Sequence, residues 1–134
     1  MIQAPINLDL SFPRKIEIEA HLEGGELAKK LTTRCDLEFS QNKQNERQWQ
    51  TVLAVFFEGE GAPGPYKGCV EFVGLFTVAG DYPVEKMSKL VAVTCPTMLY
   101  SAVREMVALI TGRGPHRPVT LPSVSFQDQD LEVK

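Results

Sequence analysis

Residues 93–114, VTCPTMLYSAVREMVALITGRG, decide the fold. Pro96 suits a first helical turn, where its missing N–H has no intrahelical partner to lose. Gly112 and Gly114, followed by Pro115, suit the end of the helix. Leu99, Ala102, Val103, Met106 and Ile110 make one apolar face, and Met98, Val107 and Leu109 widen it. Only Arg104 and Glu105 mark a polar side. A surface helix of a small protein needs one apolar stripe. This helix carries more than one sheet can cover.

Upstream of it, the chain alternates with period two, the mark of strands with two distinct faces. INLDLSF puts Ile6, Leu8, Leu10 and Phe12 on one face, and KIEIEAHL resumes at the same parity with Ile16, Ile18, Ala20 and Leu22. Pro13 makes this one long bent strand or two short ones. Residues 24–33, GGELAKKLTT, form a connection with room for a helical turn. RCDLEFSQ is a strand with Cys35, Leu37 and Phe39 on one side, and NKQNERQ is a polar hairpin loop. WQTVLAVFFEGE turns Trp49, Thr51, Leu53, Val55 and Phe57 one way and the equally apolar Val52, Ala54 and Phe56 the other. A strand apolar on both faces is usually buried on both. YKGCVEFVGLFTVAG sets Phe72 and Phe76 opposite Glu71, Val73 and Leu75.

After Gly80 the period changes. Asp81 and Pro83 mark a helix start, and Val84, Met87 and Val91 fall at helical spacing, predicting a short helix ahead of the long one. Beyond Gly114, Pro115, Pro118 and Pro122 hold the chain extended. The tail QDQDLEVK, residues 127–134, is polar and expected to be flexible. The expectation is a single domain over residues 1–134 of the α+β class. Its four-stranded antiparallel meander carries a short and a long C-terminal helix on one side.

With 134 residues the chain can bury one real core. A net charge of −3 and a pI near 5.4 argue against a nucleic-acid partner. No apolar run reaches the roughly 20 residues that span a bilayer, and the N-terminus lacks the basic and apolar blocks of a secretory leader. Cys35, Cys69 and Cys95 are odd in number and widely spaced, which suggests free thiols rather than a disulfide framework. Together these features predict a cytoplasmic protein.

His21 and His116 have no Cys, Asp or Glu at metal-ligand spacing, and no nucleotide or hydrolase motif is present. No cofactor, metal or catalytic residue is therefore expected. Two features invite chemistry. Cys95 at a helix start would have a depressed pKa; the alternative is an ordinary buried thiol. GRGPHR, residues 112–117, offers Arg113, Arg117 and backbone N–H groups to an anion; the alternative is a solvated helix C-terminus, where positive charge is favourable.

The stretch GLFTVAG…TCPTMLYSAVREMVALITGRG…VTLPSVSF resembles the SecB family of bacterial protein-export chaperones. That family runs G-I-F-x-I-x-G, then Y-C-P-N-x-L-F-P-Y-A-R-E, then R-G and L-x-P-V-x-F. Gly74, Leu75, Phe76, Val78 and Gly80 match the first block. Cys95, Pro96, Leu99, Tyr100, Ala102, Arg104 and Glu105 match the second, with Val103 between Ala102 and Arg104. Arg113, Gly114, Leu121, Pro122, Val124 and Phe126 match the third. The likeness covers residues 74–126 and extends more weakly to the strands at 34–58. It departs at Thr97, where the family has Asn, and in lacking Phe-Pro after the leucine. QDQDLEVK does not reproduce the apolar pattern of the family's C-terminal helix.

The resemblance implies an ATP-independent holdase for unfolded or precursor polypeptides. It implies a homotetramer, a dimer of dimers, whose subunits pair through the first strand and whose dimers join through the long helices. Clients would lie in an apolar groove between helix and sheet, many weak sites adding up to avidity. Its candidate lining is Trp49, Phe56, Phe72, Leu75, Phe76, Met98, Leu99, Tyr100 and Met106. Core packing is the competing role for each of these. The family presents acids on the sheet to the translocase motor, SecA. Glu19 fits one such position, with Lys15 at its companion. An alternative alignment keeps Asp9 and puts Pro13 at the second acid. Glu71 stands two residues from the expected place on the fourth strand, facing the same way. The incomplete acid set and the missing helix support a second reading, a SecB-like module dedicated to one partner such as an antitoxin. A third is a small thiol enzyme using Cys95.

Overall fold

The computed structural model describes residues 4–131. Four strands, β1 (Ile6–Ala20), β2 (Leu31–Asn42), β3 (Asn45–Gly59) and β4 (Tyr66–Val78), precede one helix, α1 (Val84–Thr111). All strand pairs are antiparallel and the order across the sheet is β1-β4-β3-β2. The α+β class is as expected, but only β2, β3 and β4 form a meander. β1 returns beside β4, which makes the sheet a Greek key. Its connection, residues 21–30, contains no helical turn and passes from one sheet edge to the other. Backbone bonds from His21 N–H to the Pro65 carbonyl (2.9 Å), Ala28 N–H to Pro63 (2.9 Å) and Glu60 N–H to Lys30 (3.0 Å) tie it to the β3–β4 loop. That loop is tight: a Cβ on Gly59 would stand 2.3 Å from the Gly64 nitrogen.

β1 is a single strand running through Pro13, and two register shifts, at Leu8/Leu10 and Pro13/Lys15, correct the simple alternation. Ile6 and Leu8 sit opposite Val78 and Phe76 on the helix side. The first bulge then turns Leu10 and Phe12 to the other face, opposite Leu75 and Val73. The second returns Ile16, Ile18 and Ala20 to the helix side, opposite Val70, Gly68 and Tyr66. One inserted residue reverses the facing of everything after it. A proline is tolerated here because β1 is an edge strand.

The two expected helices are one helix of 28 residues, about 42 Å long, with Pro96 in its interior. Pro83 is its N-cap, and no side chain caps it. Met87, Val91, Cys95, Leu99, Val103, Val107 and Thr111 are buried at strict four-residue steps on both sides of the proline. This continuous burial outweighs the local breaker. Pro96 supplies no N–H to the preceding turn, and the Thr97 hydroxyl donates to the Val93 carbonyl there (2.6 Å). Each four-residue step advances the stripe by about 40°, so it winds about the helix as it crosses a twisted sheet.

The core lies between this stripe and the helix-side row of β3 and β4, with Trp49, Leu53, Val55, Phe57, Val70, Phe72 and Phe76 all buried. From Thr111 the chain turns back and runs extended along the helix toward its N-terminus. The Val119 N–H donates to the Thr111 hydroxyl (2.8 Å), Arg104 Nε to the Leu121 carbonyl (3.1 Å) and the Tyr100 hydroxyl to the Pro122 carbonyl. Val119, Leu121 and Phe126 of this strap join the core.

Candidate functional site

Three apolar surfaces follow from this architecture. The first is the helix flank away from the strap. Tyr100 and Arg104 bond the strap on one side of the buried stripe. Met98, Ala102, Met106 and Ile110, again four residues apart, lie on the other side with Leu109. Leu109 is 64 % exposed and Ile110 37 %, while Met98, Ala102 and Met106 are half-buried. The strap accompanies the β2 side of the helix, so this flank looks toward β1. There Ile16, on the helix side of its strand, is 40 % exposed.

The second surface is the sheet face turned away from the helix. Leu10 (52 % exposed) and Phe12 (41 %) stand opposite half-buried Leu75 and buried Val73, with Val52 beyond, and half-buried Phe56 lies further along the same face opposite Cys69. Charged side chains ring this centre. Arg34 lies 4.3 Å over the Phe56 ring. Arg14, the extra residue of the second bulge, pairs with Glu71 at 3.1 Å, and Lys67 with Glu19 at 3.5 Å. Asp9 accepts hydrogen bonds from the Asn7 amide (2.7 Å) and the Thr77 hydroxyl. The three candidate motor-docking acids, Asp9, Glu19 and Glu71, therefore share one face, but two of them are partnered by cations of this chain.

The third surface is the helix side of β2, where Leu31, Cys35 and Leu37 are half-buried beside the strap. The nine candidate groove residues do not meet in one place. Met98 and Met106 are on the helix flank, and Phe56 and Leu75 on the opposite side of the sheet. Trp49, Phe72, Phe76, Leu99 and Tyr100 are core residues. Leu10, Phe12, Ile16, Leu109 and Ile110 supply much of the accessible apolar surface. For the helix, the pattern was detectable as a second four-residue ladder beside Leu99, Val103 and Val107. For β1 it was concealed by the bulges.

The two chemical possibilities change on folding. Cys95 lies in the middle of α1, not at its start, and is fully buried. Burial pushes its thiol up to about 12, outweighing the opposing effect of the Thr51 hydroxyl. The thiol stays protonated at neutral pH, so the geometry gives no activated nucleophile. In the 112–117 turn, the N–H groups of Gly112, Arg113 and Gly114 bond the Ala108, Ile110 and Thr111 carbonyls, and that of His116 bonds the Tyr66 hydroxyl. The backbone half of an anion site is thus already used within the chain. Among the described residues no group of His, Cys, Asp and Glu could hold a metal ion. No described helix is long and apolar enough to cross a membrane.

Comparison with known proteins agrees with this architecture. The family described as SecB, preprotein translocase subunit SecB, matches residues 5–129, and the chain belongs to that family. It is similar to a protein-export protein SecB of Acidithiobacillus ferrooxidans, 45 % identical over 58 residues, which cover 43 % of this chain and 38 % of that protein. A protein-export protein SecB of a Ruegeria species is 26 % identical over 106 residues, covering 77 % of this chain and 63 % of that protein. The match thus spans less than two thirds of the length of either relative. Among solved structures, a Mycobacterium tuberculosis SecB-like chaperone in complex with a ChAD peptide from an antitoxin superposes with a TM-score of 0.64. It is 18 % identical, over 90 % of this chain and 91 % of that one, a likeness of fold.

Proposed function

We propose that this protein is an ATP-independent holdase of the cytoplasm that binds unfolded or precursor polypeptides and keeps them competent for export or folding. The observation that carries the reading is the uncovered apolar flank of α1 in a chain of the SecB family. Met98, Ala102, Met106, Leu109 and Ile110 form more apolar surface than a monomer's helix needs, and contiguous surface of this kind marks interaction sites. Part of it serves assembly into a dimer of dimers, β1 pairing with β1 and α1 with α1. The remainder, with Ile16, the Leu10–Phe12 centre and the half-buried β2 row of Leu31, Cys35 and Leu37, meets extended apolar segments of clients. Methionines suit such an adaptable surface. Each contact is worth about 25 cal/mol per Å² of apolar surface buried, and many contacts along one client give avidity. No covalent step is involved; the protein is not an enzyme.

The test is dilution of several unrelated denatured proteins into buffer with and without this protein, followed by light scattering. Suppression across clients near one tetramer per chain supports a general holdase. A compact monomer by sedimentation with no suppression refutes it. The Arg14–Glu71 and Lys67–Glu19 pairs favour a second reading, a chaperone dedicated to one partner such as an antitoxin. They offset the acids through which the translocase motor, SecA, would dock. Protection confined to one co-purified partner supports that reading, and direct binding of the motor counts against it.

A further inference from the structure

We propose that residues 127–131 are a built-in occupant of a client trough, lying on the helix side of β2 and competing there with an incoming extended chain. The inference rests on the holdase reading and adds a regulation to it. β2 is a sheet edge, and its helix-side row is covered less completely than that of β3. Leu31, Thr33, Cys35 and Leu37 remain half-buried and Phe39 alone in that row is buried, whereas Thr51, Leu53, Val55 and Phe57 of β3 are all buried. The end of the strap covers the Leu37–Phe39 part of this row. The Gln129 N–H donates to the Phe126 carbonyl (3.0 Å), turning the chain past Phe126. Asp128, Gln129 and Asp130 then stand against Leu37 and Phe39, around a hollow of about 320 Å³. Leu131 packs, half-buried, against the core cluster.

The hold on this segment is weak. Lys89 Nζ donates to the Gln127 carbonyl. The Gln129 side-chain amide bonds the neighbouring Asp130 carbonyl (2.9 Å), a contact within the segment. Neither Asp128 nor Asp130 has an ion-pair partner among the described residues. Leu131 is the one apolar anchor in QDQDL. An extended client with apolar side chains at alternate positions would bury more apolar surface on the same row, and would displace it. The segment thus acts as a low-affinity plug that lowers binding of weak clients and yields to strong ones.

The test compares the full chain with a variant ending at Gln127 and with Leu131→Ser. Fluorescence anisotropy follows binding of labelled, reduced and carboxymethylated lactalbumin, a permanently unfolded probe. Both variants are expected to bind tighter, the truncation by about tenfold, the factor equivalent to one partly buried leucine. Hydrogen exchange at Cys35–Phe39 without any client should rise in both. Equal or weaker binding by the variants, with the full chain still binding, overturns the inference and leaves the holdase reading standing. No binding by any form overturns the holdase reading and the plug with it. If the truncated chain fails to fold, Leu131→Ser decides alone.

Discussion

Tyr66 shows how much one side chain can secure. Its hydroxyl donates to the Thr111 carbonyl (3.1 Å) and accepts from the His116 N–H (3.2 Å), and its ring meets the His116 imidazole edge-on at 5.4 Å. His116 Nε2 in turn bonds the His21 carbonyl (2.7 Å). The start of β4, the end of α1 and the crossing connection are thus joined at one point. A Cβ on Gly114 would stand 1.9 Å from the Tyr66 oxygen. Gly114→Ala is therefore expected to cost about 1–3 kcal/mol by overpacking, and Tyr66→Phe about 1 kcal/mol or more through lost hydrogen bonds. Urea unfolding midpoints check both. Cys95 supplies a pH test. Its thiol is raised in the folded state from 9.0 to about 12, so the unfolded chain loses its proton first. Stability from this group is complete below pH 9 and is lost as the pH rises toward 12, at up to about 1.4 kcal/mol per unit. Cys95→Ala should flatten that fall without abolishing it, because Cys35, Cys69 and Tyr100 are shifted the same way by burial. Thermal melts from pH 8 to 11 would show it.

Among the elements, β1 and α1 carry the two departures from simple periodicity. β1 reads as one alternating strand, yet its two bulges send Leu10 and Phe12 to the far side of the sheet and Ile16 back again. Nothing in the residue order locates those bulges apart from Pro13, because they are set by pairing with β4. At Gly68 a Cβ would lie 2.4 Å from the Glu17 carbonyl oxygen of β1. Gly68→Ala should therefore push β1 away, accelerating amide exchange over Ile16–Ala20 while β2 and β3 keep their protection. α1 is the opposite case. Its local sequence places a stop and a start at Pro96, and the buried ladder overrides both. The strands β2 to β4 and the facing of each of their apolar side chains were legible from alternation alone, because those strands pair without a bulge along their cores.

On the scale of the whole molecule, the unsatisfied feature is the outward ladder Met98–Ala102–Met106–Ile110 with Leu109 at its side. If this flank is an assembly surface, Leu109→Glu leaves the fold intact and breaks the oligomer. Unfolding free energy should change by no more than about 0.5 kcal/mol, as for other exposed sites. Sedimentation velocity should show smaller species, and suppression of client aggregation should fall with them. An unchanged sedimentation coefficient would remove this flank from the interface. The acids belong to the same scale. Asp9, Glu19 and Glu71 come from two strands, and only their common face shows that Arg14 and Lys67 stand among them.

Read along the chain alone, residue order settled the α+β class, the four strands, the breadth of the C-terminal helix and the family pattern over residues 74–126. These depend on periodicity and on local backbone chemistry, which are properties of neighbours in sequence. The place of β1 beside β4, the fusion of two helices into one and the burial of Cys95 were decided by tertiary structure. So was the division of the candidate groove residues between the core and two separate surfaces. Each of these turns on which distant residue lies opposite. A single bulge or a strap folded back along a helix changes that without altering the local pattern.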